Sequence, residues 1–297
     1  MLVVRMLALA LVLLPASGAV AKDLSLQHRG VTLLAVLDLA QGKTLADGVV
    51  LMVHGTMQHT DFSTVREMRS MLRAKGYSTL AINLGFGLDQ RRGMFDCERP
   101  STHRFSDALD EIGAWLDWLQ ANGAKRIVLF GFSRGGQQAA WFSAERGHPA
   151  VASLVLLAPI NPLESAQPAR YEMQFSAKLA PLLERASTLV QSGKARTPME
   201  KVPFLLCPEA TVTAESFLSY YAPGPELEML ALLRRVKSPA LVVVAGSDQV
   251  VRDLDKSLAP LVDGKRLRMA VIPGADHFFR DLYGEDAVDE IVKYLRQ

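Results

Sequence analysis

The chain of 297 residues carries 33 basic and 31 acidic side chains, which leaves a formal net charge of +2 at pH 7. This near balance lacks the marked basic excess that is typical of phosphate binding, so the sequence predicts no nucleic-acid partner. With 49% hydrophobic and 22% charged residues, the composition is typical of a soluble globular protein with a sizeable core.

The first 21 residues differ from the rest of the chain. Arg5 is their only charged residue, residues 6–14 form a short apolar run, and residues 19–21 read AVA. This order predicts a secretory signal peptide over residues 1–21, with export of a mature domain of residues 22–297 to the periplasm or the medium. The alternatives are an uncleaved anchor or a buried first helix. No later segment has about 20 consecutive apolar residues, so we expect no stable membrane anchor after cleavage.

Strand-like and helix-like segments alternate after about residue 30. Short apolar runs predict strands, and apolar residues at helical spacing predict helices between them. The predicted strands are residues 31–37, 49–53, 79–84, 127–130, 151–157, 241–245 and 269–272. The predicted helices include residues 63–75, 107–121 and 285–295. Strands that are apolar on both faces and separated by helices indicate an α/β fold with a parallel sheet covered on both sides.

One long stretch interrupts this alternation between Pro159 and Ser238. It contains no clear sheet strand but has two amphipathic helical regions, near residues 171–191 and 226–235. A connection of this length inside a compact domain is usually a lid or an inserted subdomain. We therefore predict a helical cap over residues 160–236, above the edge where parallel strands end and where such sheets bind ligands.

A candidate nucleophile follows one of the predicted strands. Residues 131–135 read GFSRG, directly after strand 127–130 and before a helix. In this context the pattern predicts a sharp strand-to-helix turn that exposes the hydroxyl of Ser133 above the sheet. Gly131 and Gly135 are expected to be small because the chain packs against itself there. The alternative is a glycine-rich turn whose serine has no chemical role.

A serine hydroxyl becomes an effective nucleophile only when an oriented base can accept its proton. His277 follows the last predicted strand and Asp248 follows strand 241–245, which gives the chain order serine, acid, histidine. Ser133, Asp248 and His277 are therefore the predicted catalytic residues. The alternatives, interpreted as surface or loop residues, are His148, Asp253, Asp255 and Asp276.

Acyl transfer also needs hydrogen-bond donors for the negative charge that develops on the carbonyl oxygen. One predicted donor is the backbone N–H of Arg134, at the start of the helix after Ser133. The other is the N–H of Thr56 or Met57, in the loop after strand 49–53. The alternative for Gly55 and its neighbours is a simple turn at the end of a strand.

Four segments together resemble the α/β-hydrolase superfamily: the His-Gly pair at 54 and 55, residues 131–135, residues 246–248 and residues 274–277. The resemblance covers roughly residues 30–297. It implies an eight-stranded, mostly parallel sheet flanked by helices, a Ser-Asp-His triad, and neither a metal ion nor an organic cofactor. Esterases, lipases, thioesterases, peptidases and acyltransferases share this apparatus, so the resemblance leaves the substrate open.

The loop at residues 85–104 is expected on the same side of the sheet as Ser133. One hypothesis is that Arg91 and Arg92 in this loop guide an anionic or polar acyl substrate. The alternative is an ordinary solvated loop, because three acidic residues dilute its charge and charge runs usually face water.

The chain contains two cysteines, Cys97 in this loop and Cys207 in the predicted cap. In an oxidising compartment they could form a disulfide that tethers the cap to the core. The alternative is two free, unrelated thiols.

These observations predict a serine hydrolase that cleaves a carboxylic ester of a small-molecule acyl substrate through an acyl-enzyme on Ser133. An acyltransferase or a peptidase could use the same residues. A third alternative is a hydrolase fold kept as a non-catalytic binding protein, although such a protein has no physical need for all three triad residues. The sequence makes no prediction of oligomeric state.

Overall fold

A computed structural model gives the fold and describes residues 21–161, 167–225 and 227–297. The predicted signal peptide therefore lies outside the described residues, apart from Ala21. Within these ranges, no helix combines the length and the apolar character needed to cross a membrane.

A large mixed sheet forms the centre of the molecule. The strands of the described residues are, in chain order, β1 Lys22–His28, β2 Val31–Asp38, β3 Val49–Val53, β4 Thr79–Asn83, β5 Ile127–Phe132, β6 Val151–Leu157, β7 Pro198–Phe204, β8 Cys207–Thr213, β9 Ala240–Ala245 and β10 Leu267–Ile272. Eight of them form one sheet in the order β1-β2-β4-β3-β5-β6-β9-β10. Strand β2 pairs antiparallel with β1 and β4, and the remaining pairs are parallel. This confirms the predicted eight-stranded, mostly parallel sheet.

Helices cover both faces of this sheet. In chain order they are α1 Ser63–Ala74, α2 Asp107–Ala121, α3 Arg134–Glu145, α4 Gln167–Phe175, α5 Leu179–Gln191, α6 Ala214–Tyr221, α7 Met229–Arg235, α8 Leu254–Leu258 and α9 Leu282–Leu295. Because side chains alternate along a strand, β3 serves two cores. Leu51 lies in one buried cluster with Trp115 of α2, and Met52 lies in the other with Met68 of α1.

The strand β1 was not predicted, since the expected alternation began only after residue 30. It is an edge strand whose residues are exposed or half-buried, and only Leu24 and Leu26 supply apolar side chains to the core. Two apolar residues in a polar segment are too weak a periodic signal to identify a strand. Its position is fixed instead by antiparallel pairing with β2 over its full length.

The segment between β6 and β9 contains α4 to α7 and a separate antiparallel hairpin of β7 and β8. The segment predicted as a helical cap therefore also contains two strands that the sequence did not predict. The pairing of β7 with β8 shifts register between Met199 and Val202 and again before Phe204, so the buried residues do not follow a strict two-residue period. Such irregular pairing removes the alternation that would reveal a strand in the sequence. Residues 162–166 and 226 of the predicted cap lie outside the described residues.

Candidate active site

Three parallel strands bring Ser133, Asp248 and His277 together at one edge of the sheet. Ser133 directly follows β5, Asp248 lies three residues after β9, and His277 lies five residues after β10. The Nε2 atom of His277 lies 2.9 Å from Oγ of Ser133, and its Nδ1 atom lies 2.7 Å from Oδ2 of Asp248. All three side chains are buried, with exposed fractions of 4%, 8% and 5% for Ser133, Asp248 and His277. The residues selected from the sequence thus form one continuous hydrogen-bonded chain.

The turn at Ser133 is strained in the way the GFSRG pattern predicts. Ser133 has φ 55° and ψ −119°, in a region that residues with a Cβ rarely adopt. A Cβ on Gly131 would lie 2.3 Å from the carbonyl oxygen of Gly135, and one on Gly135 would lie 2.4 Å from that of His54. Only glycine therefore fits at the two flanking positions, where β5, α3 and the end of β3 meet.

The Asp248 carboxylate is held by its own loop. Its Oδ1 atom accepts the backbone N–H groups of Val250 and Val251 at 2.7 and 2.8 Å, which leaves Oδ2 for His277. A carboxylate can only accept in this geometry, so Nδ1 of His277 carries the proton and Nε2 is free to accept from the Ser133 hydroxyl. The arrangement thus favours the imidazole tautomer that a general base requires.

The other candidate acids and the second histidine have different partners. Asp276 accepts the N–H of Phe278 at 3.0 Å and pairs with Arg280, and Asp253 pairs with Lys256. His148 lies 3.3 Å from Asp117 in a surface pair. None of these contacts reaches Ser133.

The loop after β3 carries the other candidate donors. The N–H of Gly55 donates to Oε1 of Gln58 at 3.1 Å, so it is already paired. Among the hydrogen bonds of the described residues, the backbone N–H groups of Thr56, Met57 and Arg134 have no acceptor. Met57 also has φ 57°, an uncommon conformation for a residue with a Cβ. Strain and unpaired donors at one loop are features of a pre-organised site.

Sequence reasoning missed the side chain of His54 as a positioning residue. Its Nε2 atom lies 3.1 Å from the N–H of Leu84 and 3.1 Å from Nη2 of Arg91, and both of these groups can only donate. Nε2 is therefore the acceptor, and Nδ1–H donates to the carbonyl oxygen of Gly55 at 2.9 Å. Burial and the nearby Arg91 lower the pKa of His54 to about 3, so the ring is neutral and the loop geometry does not change with protonation.

Arg91 lies in the interior, which contradicts the hypothesis that it contacts substrate. It is only 5% exposed, and its guanidinium donates to the carbonyl oxygens of Leu84 and Gln58 at 2.7 and 2.8 Å. Burial lowers its pKa to about 10, so it remains charged at neutral pH. Arg91 therefore holds the loops around His54 together. The sequence could not reveal this, because every partner is a backbone group or a residue distant in sequence.

Arg92 has a different position from Arg91. Its side chain is exposed and lies 3.5 Å from Asp23 of β1. The pair is at the outer edge of the sheet, beside the strand that the sequence did not predict. The two adjacent arginines thus differ in environment, since Arg91 is buried and Arg92 is exposed.

The loop at residues 85–104 is joined to the cap. Cys97 and Cys207 form a disulfide with a Cα–Cα distance of 5.5 Å. Ser101 adds a backbone pairing to β8, since its N–H donates to Thr211 at 2.8 Å and its carbonyl accepts from Thr213 at 3.0 Å. Cys207 also lies beside Met57, with 3.9 Å between their sulfur atoms. The disulfide therefore supports the same loop that carries the unpaired donors.

The described residues contain no group of three or more histidine, cysteine or carboxylate side chains placed to hold a metal ion.

A strained serine turn, a buried Ser-His-Asp chain and a capped parallel sheet together define an α/β-hydrolase type of protein. The sequence matches the model of the alpha/beta hydrolase family over residues 50–293, and the protein belongs to this family.

Several solved structures share the fold. Est1E from Butyrivibrio proteoclasticus with bound ferulic acid is 15% identical, with a TM-score of 0.65, over 92% of this chain and 100% of that one. The siderophore hydrolase EstB from Aspergillus fumigatus is 16% identical, with a TM-score of 0.63, over 95% and 98%. An esterase from Pyrococcus furiosus is 19% identical, with a TM-score of 0.61, over 94% and 91%. At these identities the similarity shows the fold alone.

Proposed function

We propose that the protein is a serine ester hydrolase that forms an acyl-enzyme on Ser133. The observation that carries this proposal is the hydrogen-bonded chain from Ser133 through His277 to Asp248, with distances of 2.9 and 2.7 Å. Such a chain lets a histidine remove the serine proton while the carboxylate stabilises the resulting imidazolium. Structural similarity to proteins named as an esterase and a siderophore hydrolase supports an ester as the substrate.

In the first half of the proposed reaction, Oγ of Ser133 attacks the ester carbonyl carbon while Nε2 of His277 takes the hydroxyl proton. The carbonyl oxygen becomes an oxyanion and accepts the N–H of Arg134 together with that of Thr56 or Met57. These donors are fixed by α3 and by the His54 loop, so they need little reorganisation during the reaction. When the tetrahedral intermediate collapses, His277 gives its proton to the departing alkoxide, and the alcohol leaves.

In the second half, His277 removes a proton from water, and the resulting hydroxide attacks the acyl carbon. Collapse of this second intermediate breaks the bond to Ser133, which recovers its proton from His277 as the carboxylic acid leaves. The orientation of His277 by Asp248 serves both halves, because the same nitrogen acts first as base and then as acid.

Hydrolysis of 4-nitrophenyl butyrate tests the proposal. We expect Ser133→Ala to lower kcat/KM by about 10⁴-fold or more, as for removal of a triad nucleophile. The matched control is Ser70→Ala, which removes an exposed hydroxyl on α1 and should retain wild-type activity. A folded Ser133→Ala protein that hydrolyses the ester at the wild-type rate would refute the proposal.

We also propose that the protein is exported, with residues 1–21 removed as a signal peptide. The Cys97–Cys207 disulfide supports this, because such bonds persist mainly in oxidising compartments. N-terminal sequencing of the protein from periplasmic and culture-medium fractions should begin at Lys22. Recovery of the full-length chain only from the cytoplasm would contradict export.

A further inference from the structure

A small cavity of about 100 Å³ lies between α3 and the cap, next to the candidate nucleophile. Two of its lining residues are linked directly to Ser133. Arg134 follows Ser133 in the chain, and the N–H of Ile160 donates to the Ser133 carbonyl at 3.1 Å. Cap residues close the other sides, among them Arg170, Tyr171 and Tyr221. The cavity is therefore connected to the Ser133 turn through Arg134 and Ile160.

Two arginines face this cavity without a carboxylate partner among the described residues. Arg134 donates from Nε to Oγ1 of Thr56 at 3.2 Å, and its guanidinium centre lies 5.6 Å from the Tyr220 ring. Arg170 donates from Nη2 to the carbonyl of Val250 at 3.3 Å. Neither forms an ion pair within the described ranges. Each guanidinium therefore retains donors that no described residue uses.

The two charges also disfavour each other. Burial lowers the pKa of both arginines, and the nearby charge of Arg170 lowers that of Arg134 further. Partly buried positive charges of this kind are unfavourable unless an anion compensates them. Among the described residues, no lining residue of the cavity is acidic, and an anionic ligand would supply a compensating charge. Guanidinium groups bind carboxylates through paired hydrogen bonds, which gives both affinity and orientation.

The remaining walls limit the size of such a ligand. Ile160, Leu205 and Leu227 are apolar, and the hydroxyl of Tyr171 is already used by the carbonyl of Pro203 at 2.6 Å. The hydroxyl oxygen of Tyr221 accepts the N–H of Leu205, which leaves its proton as one more donor toward the cavity. The volume accommodates a carboxylate and a short chain but not a long acyl group.

We propose that Arg134 and Arg170 form a carboxylate-binding subsite, so that the preferred ester carries a second, anionic group a few bonds from the scissile carbonyl. This inference rests on the proposed ester hydrolase function and specifies its substrate class. It assigns anion recognition to different arginines from the Arg91 and Arg92 pair considered from the sequence. Because Arg170 also joins α4 to the Val250 loop, a purely structural role must be separated from ligand binding.

Matched pairs of charged and neutral esters distinguish a structural role of Arg170 from a role in ligand binding. On the acyl side the pair is monomethyl glutarate and its amide, methyl glutaramate; on the alcohol side it is acetoxyacetate and acetoxyacetamide. A structural defect lowers kcat/KM for both members of a pair, whereas loss of the subsite lowers only that of the anion. The readout is therefore the ratio of kcat/KM for the anionic ester to that for the neutral one.

We expect a wild-type ratio above about 10 for one pair, which identifies the side of the ester that carries the carboxylate. Arg170→Gln and Arg134→Gln should each reduce this ratio by about tenfold or more, as expected for loss of charged hydrogen bonds. The control is Arg185→Gln, which removes an exposed charge from α5 of the same cap and should preserve the ratio. Ratios near 1 in the wild type, or unchanged in both test variants, would overturn the inference and leave the hydrolase proposal intact.

A binding measurement on a protein that cannot hydrolyse the ester tests the carboxylate-binding subsite separately from the proposed hydrolase function. In calorimetry, glutarate should bind to the Ser133→Ala protein, and binding should be lost when Arg170→Gln is added. If no ester is hydrolysed, the hydrolase proposal fails, but this titration still supports the subsite when binding depends on Arg170. Absence of glutarate binding to the Ser133→Ala protein would overturn the subsite.

Discussion

The residues at the sheet edge and the layer above them are held in place in different ways. At the catalytic edge, defined as residues 131–135, 246–251 and 274–279, each candidate catalytic side chain follows a parallel strand of the sheet, and Asp248 is also held by two backbone N–H groups. The covering layer, defined as the loop at 85–104 with α4 to α7 and the β7–β8 hairpin, is fixed by a disulfide, buried polar side chains and an added backbone pairing. The difference indicates that the sheet positions the candidate catalytic side chains, while contacts between distant residues position the layer that covers them.

The largest expected effect tests the catalytic edge. Asp248→Asn should lower kcat for 4-nitrophenyl butyrate by about 10⁴-fold, because an amide cannot hold the required tautomer of His277 or stabilise its charged form. Asp253→Asn is the matched control, since Asp253 is exposed and pairs with Lys256 instead. Circular dichroism should show both variants folded. An Asp248→Asn enzyme within tenfold of the wild-type rate would place the acid elsewhere.

The next prediction concerns the backbone contact that holds Ser133. In Gly135→Ala the new Cβ would lie 2.4 Å from the carbonyl oxygen of His54 and 2.5 Å from that of Val53, and neither backbone group can move freely. We expect a loss of about 3 kcal/mol or more in the free energy of unfolding, measured in urea.

Gly113→Ala in α2 is the control for that substitution. Its Cβ would lie 3.5 Å from the Phe142 ring, an ordinary contact, and alanine favours a helix over glycine by about 1 kcal/mol. If both substitutions have the same effect on the unfolding free energy, then the close approach at Gly135 does not determine the turn.

Reduction of the disulfide tests the covering layer. The bond between Cys97 and Cys207 closes a separation of 110 residues, so its loss should lower the free energy of unfolding by about 2 to 5 kcal/mol. The urea midpoint should fall when a reductant is added. The double variant Cys97→Ala/Cys207→Ala should have the low midpoint with or without reductant. A wild-type midpoint that does not respond to reductant would show that the layer does not depend on this bond.

A further prediction is a pH dependence of stability from Glu111, which supports the start of the covering loop. Its carboxylate accepts the N–H of Gly85 at 2.7 Å, and burial raises its pKa to about 8 from an ordinary value of 4.5. The folded state therefore binds a proton more tightly than the unfolded state does. The resulting stability is complete below about pH 4.5 and is lost as pH rises through about 8.

Glu111→Gln should remove this dependence. The Tm of the wild type, relative to that of the variant, should decrease between about pH 5 and pH 8. Glu184→Gln, at an exposed position of α5, should follow the wild type across the same range. A constant difference between wild type and Glu111→Gln would mean that Glu111 does not titrate with folding in this window.

The same contrast between regions explains which features could be predicted from the sequence. Ser133, Asp248 and His277 were identified because each follows an apolar run that predicts a strand, and the parallel order of those strands brings their ends together. Gly131 and Gly135 were identified because the sharp turn at Ser133 leaves no room for a Cβ, and the GFSRG pattern reflects this local requirement.

Features of the covering layer depend on contacts between distant residues. Arg91 could not be distinguished from a solvated arginine until its partners at Leu84, Gln58 and His54 were in place. The position of Arg134 and Arg170 on one cavity is likewise invisible in the sequence, since a helix and a cap segment meet there only in the folded chain. Charge in a sequence identifies residues that could bind an anion, but burial and partners decide which of them do.

The central claim, that Ser133 is the nucleophile, is tested most directly by covalent labelling. The purified protein would be treated with a fluorophosphonate, and its mass measured before and after proteolysis. We predict one adduct per chain, on the peptide that contains Ser133, and no adduct in the Ser133→Ala or His277→Ala proteins. A folded wild-type protein that remains unlabelled, or that is labelled at another residue, would contradict the account.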